Sequence, residues 1–194
     1  FKNEIKLIRK ANNYSFKKNE VKNIQLNEYW LRHIPEKFNK IDYSKKTDYL
    51  NYLDNIYPIF IIGLPRCGST LIESIISSGE DKIDNMGETN LVNWALLNTN
   101  KDFIGASSKI KKIKVDINSI SEKLRNAIEN LSLNINRNKI IFSEKSLENF
   151  YYIELILNIY PNAKFIHSYR NPVDNIFAIY NQFLPDISWS HAIE

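Results

Sequence analysis

Residues Tyr57 to Ser78 read YPIFIIGLPRCGSTLIESIISS. An apolar run, Ile59 to Ile62, stops at Gly63. A short loop follows with Pro65, Arg66 and Gly68. Ser69-Thr70 then opens a run with apolar residues at Leu71, Ile72, Ile75 and Ile76. An apolar run closed by glycine predicts a buried strand, and the spacing that follows predicts a helix. Strand, tight loop and helix in that order leave the first N–H groups of the helix without intrahelical partners, at the positive end of its dipole. Such a loop suits a phosphate or a close analogue of one.

Gly63 and Gly68 have the spacing of the P-loop pattern G-x-x-x-x-G-K-[ST], but Ser69 stands where the lysine belongs. That lysine reaches the outer phosphates of ATP or GTP. Arg66, inside the loop, is the nearby cation. A strand–turn–helix without a ligand is the plain alternative, and the Pro-Arg within and Ser-Thr after the glycines argue against it. Cys67 reads either as a reactive thiol beside a helix N-terminus or as a small residue that fits a tight loop; the second is simpler.

Working outward, Ile59 to Ile62, Ile140 to Phe142 and Lys164 to Tyr169 read as buried strands, each followed by helix-like periodicity. The alternation predicts an α/β fold with a mostly parallel sheet flanked by helices and right-handed crossovers. Ligands then bind at the carboxyl ends of the strands. Asp116 to Asn134 reads as a helix with Ile117, Ile120, Leu124, Ile128 and Leu131 on one face. Lys109, Lys111, Lys112 and Lys114 read as a solvated loop. Residues 1–50 read as a helical lead-in, with Ile5, Leu7, Ile8 and Ala11 on one face. Leu26, Tyr29, Trp30 and Ile34 mark a second helix ending before Pro35. Residues 57–194 form the main domain.

Two further motifs carry charge to strand ends, and another brings a carboxylate back towards the sheet edge. Met86-Gly87-Glu88-Thr89 precedes the apolar stretch Leu91 to Leu97. Beside an anion site, Glu88 reads as a general base for an acceptor hydroxyl, or as an acid complementing a helix dipole. Ser143-Glu144-Lys145-Ser146 follows the second strand. Lys145 reads as a cation aimed at a leaving group, or as a surface lysine. At the third strand's end, Asn171 reads as an N-cap with Pro172 at the first helical position. That sets Arg170 between strand and helix, where it can clamp a second phosphate or pair with Asp174.

The 194 residues suffice for one α/β domain with a small appendage, and 43% hydrophobic content supports a sizeable core. A net charge of +4 suits an anionic small ligand and is too modest for a nucleic-acid arm. One cysteine excludes an internal disulfide and favours a reducing, cytoplasmic setting. No apolar run approaches the ~20 residues of a membrane span. The chain begins at Phe1 and ends at Glu194 within a helix-like pattern, which reads as a fragment truncated at the C-terminus.

Together the four motifs resemble those of the sulfotransferases related to tyrosylprotein sulfotransferases, including bacterial versions fused to tetratricopeptide repeats. The resemblance covers about residues 57–194. GLPRCGST is similar to the 5′-phosphosulfate loop, and Gly87-Glu88 to the segment carrying a catalytic glutamate. SEKS resembles the D-K-x-P segment with its catalytic lysine. PNAKFIHSYRNPVDNIFAIY resembles the 3′-phosphate segment, and Trp189 to Glu194 the start of the next helix. The resemblance implies a P-loop NTPase-like α/β fold and a sulfuryl donor, 3′-phosphoadenosine 5′-phosphosulfate (PAPS), with no metal required. It implies an acceptor hydroxyl, on a small molecule or a peptide tyrosine. Arg66, Cys67, Gly68, Ser69 and Thr70 would hold the 5′-phosphosulfate, Glu88 would be the base, Lys145 would stabilise the leaving group, and Arg170 would bind the 3′-phosphate.

This chain departs from the pattern in two places. Ala178 stands where the family usually has a serine for the 3′-phosphate, leaving Ser168 and Tyr180 as nearby hydroxyls. Glu144 and Leu147 replace the aspartate and proline of D-K-x-P. Among the histidines, His167 is expected to pack in the core. His33 and His191 lie before the domain and in its terminal helix, so Glu88 is the better base. The rival readings are a P-loop kinase or NTPase, which the missing lysine opposes, and a nucleotide-binding module without catalysis.

Overall fold

Strand β1 (Ile56–Gly63) organises the chain. A computed structural model describes residues 2–28, 31–32, 55–79, 83–99, 117–131, 140–182 and 184. In it β1 pairs on both sides within a four-stranded sheet of order β2-β3-β1-β4, where β2 is Asp84–Asn85, β3 is Ile140–Glu144 and β4 is Lys164–Ser168. All three pairings are parallel. β1 and β3 run in register from Ile56 opposite Ile140 to Phe60 opposite Glu144. β1 and β4 run from Ile59 opposite Lys164 to Gly63 opposite Ser168. A strand inside a parallel sheet is covered on both faces, and Phe60, Ile61 and Ile62 are all buried.

Proline is unusual inside a sheet, yet β1 contains Pro58. The Ile140 N–H donates to the Asn55 carbonyl, which turns the odd-numbered residues of β1 towards β3. Pro58 therefore lacks its N–H on the opposite side, where the β4 ladder begins only at Ile59.

Helices α1 (Lys2–Lys18) and α2 (Glu20–Glu28) precede the sheet. α3 (Ser69–Ser77) follows the β1 loop, and α4 (Leu91–Thr99) and α5 (Ile117–Leu131) lie between β2 and β3. A 3₁₀ turn (Leu147–Tyr152) leads into α6 (Ile153–Ile159), and α7 (Pro172–Gln182) follows β4. The core joins Phe60 and Phe142 of the sheet to α4, α5, α6 and the 3₁₀ turn. The face predicted for α5 is observed at Ile120, Leu124 and Ile128, buried at a spacing of four, with Ile117 packed beside them; the Leu131 side chain lies outside the description. Leu91, Val92, Ala95 and Leu96 form the inner face of α4. Among the described residues no helix is long and apolar enough to cross a membrane.

Several expectations shift. The three predicted strands are present, but β2 was not foreseen; two polar residues carry no periodicity, and their pairing with Phe142 and Ser143 is tertiary. On α1, Ile5 and Ile8 turn inward with buried Asn12 and Ser15, while Leu7 and Ala11 face solvent. Asn12 Nδ2 donates to the Tyr180 carbonyl at 3.1 Å, so the inner face of α1 is set by a polar contact with α7. His167 is exposed rather than packed in the core. It sits on β4, an edge strand among the described residues, with its ring 6.4 Å from that of Tyr169. Tyr29, Trp30, Ile34, Pro35, His33, the lysines between 109 and 114, and the terminal segment 189–194 with His191 lie outside the described residues.

Candidate active site

Parallel strands bring their carboxyl ends to one edge of the sheet, and all four motifs start there. The β1 loop follows Gly63, Glu88 lies just beyond β2, Lys145 follows β3, and Arg170 follows β4. The loop is shaped by backbone constraints. Gly63 has φ 152°, and a Cβ there would sit 2.5 Å from the Ser168 carbonyl oxygen. Gly68, at φ 96°, is the N-cap of α3. Arg66 adopts φ 66°, a left-handed conformation that costs a side-chain-bearing residue roughly 1–2 kcal/mol.

The end of β4 and the chain that follows it hold this loop by its carbonyls. Pro65 O accepts from Asn175 Nδ2 at 2.8 Å, Arg66 O from Arg170 Nη1 at 3.4 Å, and Cys67 O from the Ser168 hydroxyl at 3.0 Å. Three successive carbonyls are thus bonded to β4, α7 and the junction between them. No side chain caps α3, so its leading N–H groups keep the character of an anion site. Asn171 behaves as predicted: its Oδ1 accepts from the N–H groups of Val173 and Asp174, at 3.0 and 3.3 Å.

The Glu88 segment is laced to the end of β3. Met86 N–H donates to Ser143 O and Lys145 N–H to Gly87 O, both at 2.9 Å, and Asn90 N–H donates to Ser146 Oγ at 2.8 Å. Lys145 Nζ lies 2.9 Å from Glu88 Oε1. The lysine side chain is 12% exposed and the glutamate 61%, so Lys145 is not a surface lysine and Glu88 presents its carboxylate to solvent.

Two further carboxylates stand behind this pair. Glu73, on α3, is buried; its Oε1 accepts from the Gly87 N–H at 3.2 Å and its Oε2 lies 3.9 Å from Lys145 Nζ. Glu144 is fully buried and accepts from the Thr89 hydroxyl, the Ser146 hydroxyl and N–H, and Asn149 Nδ2. Burial pushes the Glu144 carboxyl above its ordinary range, against the pull of the bonds from Ser146, Thr89 and Asn149.

Residues 65–71, Glu88, Asn90, 146–148, Arg170 and Leu184 line one cleft of about 680 Å³. Two arginines, the N-terminus of α3 and the Glu88 carboxylate therefore share a single space. Lys145 reaches it through Glu88 rather than lining it.

A model of the sulfotransferase family matches residues 58–193. The chain belongs to the sulfotransferase family. An uncharacterized protein of Aquifex aeolicus (strain VF5) is 31% identical over 133 residues, which are 64% of this chain and 17% of that protein. The chain thus spans under a fifth of that relative's length. No solved structure matches it.

In this sulfotransferase-family chain, Arg66, Cys67, Gly68, Ser69, Thr70, Glu88 and Arg170 meet at one cleft, and Lys145 lies one ion pair away. Ser168, considered as a substitute for the hydroxyl missing at Ala178, is instead buried with its proton committed to the loop. Glu144 is a buried hydrogen-bond hub. Glu73 and Asn175 escaped the sequence reading. Asn175 sits one turn after the N-cap and looks like any helical polar residue. Glu73 interrupts an apolar helical run, and that interruption was the available signal.

Proposed function

We propose that this chain is the catalytic domain of a PAPS-dependent sulfotransferase related to the tyrosylprotein sulfotransferases, with residues 57–194 as the domain and residues 1–50 as a helical lead-in. It transfers a sulfuryl group to an acceptor hydroxyl, and a peptide tyrosine is the first acceptor to test. The observation that carries the reading is the loop: an uncapped helix N-terminus in one cleft with Arg66, Arg170 and Glu88, and Ser69 where a triphosphate-binding lysine would stand.

These residues fit the donor's two anionic ends. The N–H groups around Gly68 to Thr70, with Arg66, would hold the 5′-phosphosulfate. Arg170, anchored on the Arg66 carbonyl, would take the 3′-phosphate. Glu88 would accept the acceptor's proton. The acceptor oxygen bonds to sulfur as the bond from sulfur to the 5′-phosphate oxygen breaks, and that electron pair stays on the phosphate. Arg66 and Lys145 would meet the charge that builds there, an effect worth about 3 kcal/mol for one well-placed group. As Glu88 takes up the proton, its hold on Lys145 weakens.

The test is sulfuryl transfer from labelled PAPS to a tyrosine peptide and a panel of hydroxyl acceptors. Glu88→Gln is expected to keep adenosine 3′,5′-bisphosphate affinity within about twofold and to lower kcat by about 10²-fold or more. Full activity in that variant would place the base elsewhere.

A further inference from the structure

Helix α3 buries the wrong residues for its sequence. In STLIESIIS the exposed side chains include Leu71 and Ile75, and the buried ones are Ser69 and Glu73. A buried carboxylate is costly unless it is paired, so its partners decide what it does. Glu73 Oε1 accepts from the Gly87 N–H at 3.2 Å. The Ser143 hydroxyl lies 3.3 Å from the same oxygen but 2.9 Å from Asn85 Oδ1, and its one proton cannot serve both. The charge partner of Glu73 is Lys145, 3.9 Å from Oε2. That ammonium is also 2.9 Å from the exposed carboxylate of Glu88. Two carboxylates share one cation, one of them in the cleft and the other behind it.

We propose that Glu73 is a positioning residue for Lys145, the partner that keeps the ammonium in place whenever Glu88 is neutral. With both acids ionised the group carries two negative charges and one positive. When Glu88 takes up a proton, Glu73 and Lys145 are left as a balanced pair, so the cation stays at the sheet edge rather than swinging to solvent. The same glutamate bonds the Gly87 N–H. One side chain therefore fixes both the lysine and the backbone that presents Glu88. In turnover this role rests on the sulfuryl-transfer reading; the ion-pair exchange does not.

Reductive methylation of the lysines in the whole chain, followed by peptide mass spectrometry, tests the exchange directly. Methylation requires a free amine, so an ammonium held by a carboxylate reacts slowly. Glu88→Gln stands in for the neutral glutamate. In that variant Lys145 is expected to react at least tenfold more slowly than exposed Lys164. Adding Glu73→Gln is expected to remove most of that protection while the rate at Lys164 stays constant. A Glu88→Gln variant whose Lys145 reacts as fast as Lys164 would overturn the proposal. So would a double variant no faster than the single one. If the double variant fails to fold, seen as a change at every lysine, Glu88→Gln with Glu73→Asp takes its place: the shorter acid keeps the charge but draws back from Lys145, and labelling no faster than in the single variant would overturn the proposal. Wild-type chain that transfers no sulfuryl group would sink the proposed activity and leave the labelling result standing.

Discussion

Arg66, Glu88, Lys145 and Arg170 were legible as separate residues, because cations and acids next to strand ends stand out against apolar runs. Their partners were not. The bond from Arg170 to the Arg66 carbonyl joins residues far apart in sequence, and no local pattern encodes it. Glu144 shows how much is hidden: it reads as one acid among 22 Asp and Glu, yet it is buried and bonded by three neighbouring side chains. Its carboxyl is held above 4.5, mainly by burial. A carboxyl raised in the folded chain binds its proton more tightly there than when unfolded. Its contribution to stability is complete below the unfolded value and is lost as pH rises through the raised one. Urea unfolding from about pH 4 to about pH 8 is therefore expected to show the wild type losing stability relative to Glu144→Gln as pH rises. A difference that stays constant across that range would mean that Glu144 titrates alike in both states.

The strand–loop–helix unit around Gly63 was legible because its signals agree: a buried apolar run, glycine where the chain turns, and helical spacing after it. What the periodicity misjudged is which face of α3 points inward. Helical spacing groups Leu71, Ile72, Ile75 and Ile76, but only Ile72 and Ile76 turn inward, beside buried Ser69 and Glu73, and Leu71 and Ile75 stay exposed. β2 was missed because a two-residue polar strand exists only through its neighbour. At this scale Gly63 is the most demanding position. A methyl group there would meet the Ser168 carbonyl at 2.5 Å and the Cys67 sulfur at 3.2 Å, at a φ that L residues rarely adopt. Gly63→Ala is expected to cost about 1–3 kcal/mol of stability and to weaken adenosine 3′,5′-bisphosphate binding by pushing the loop off β4. Thermal unfolding and calorimetry check the two effects. Unchanged affinity in a destabilised variant would detach the loop from ligand binding.

Across the whole chain, the sheet converts four scattered motifs into one edge. Parallel order β2-β3-β1-β4 places every strand's carboxyl end on the same side, which is where open α/β sheets bind ligands. The family match over residues 58–193 and the alternation of strands and helices lead to the same architecture. The identity of the donor decides the assignment. The decisive measurement is a calorimetric titration with adenosine 3′,5′-bisphosphate, with ATP as competitor, on the wild type and Arg170→Ala. The bisphosphate is expected to bind, to resist displacement by equal ATP, and to bind at least about tenfold more weakly when Arg170 is removed. Preferential binding of ATP, or bisphosphate affinity indifferent to Arg170, would contradict the assignment.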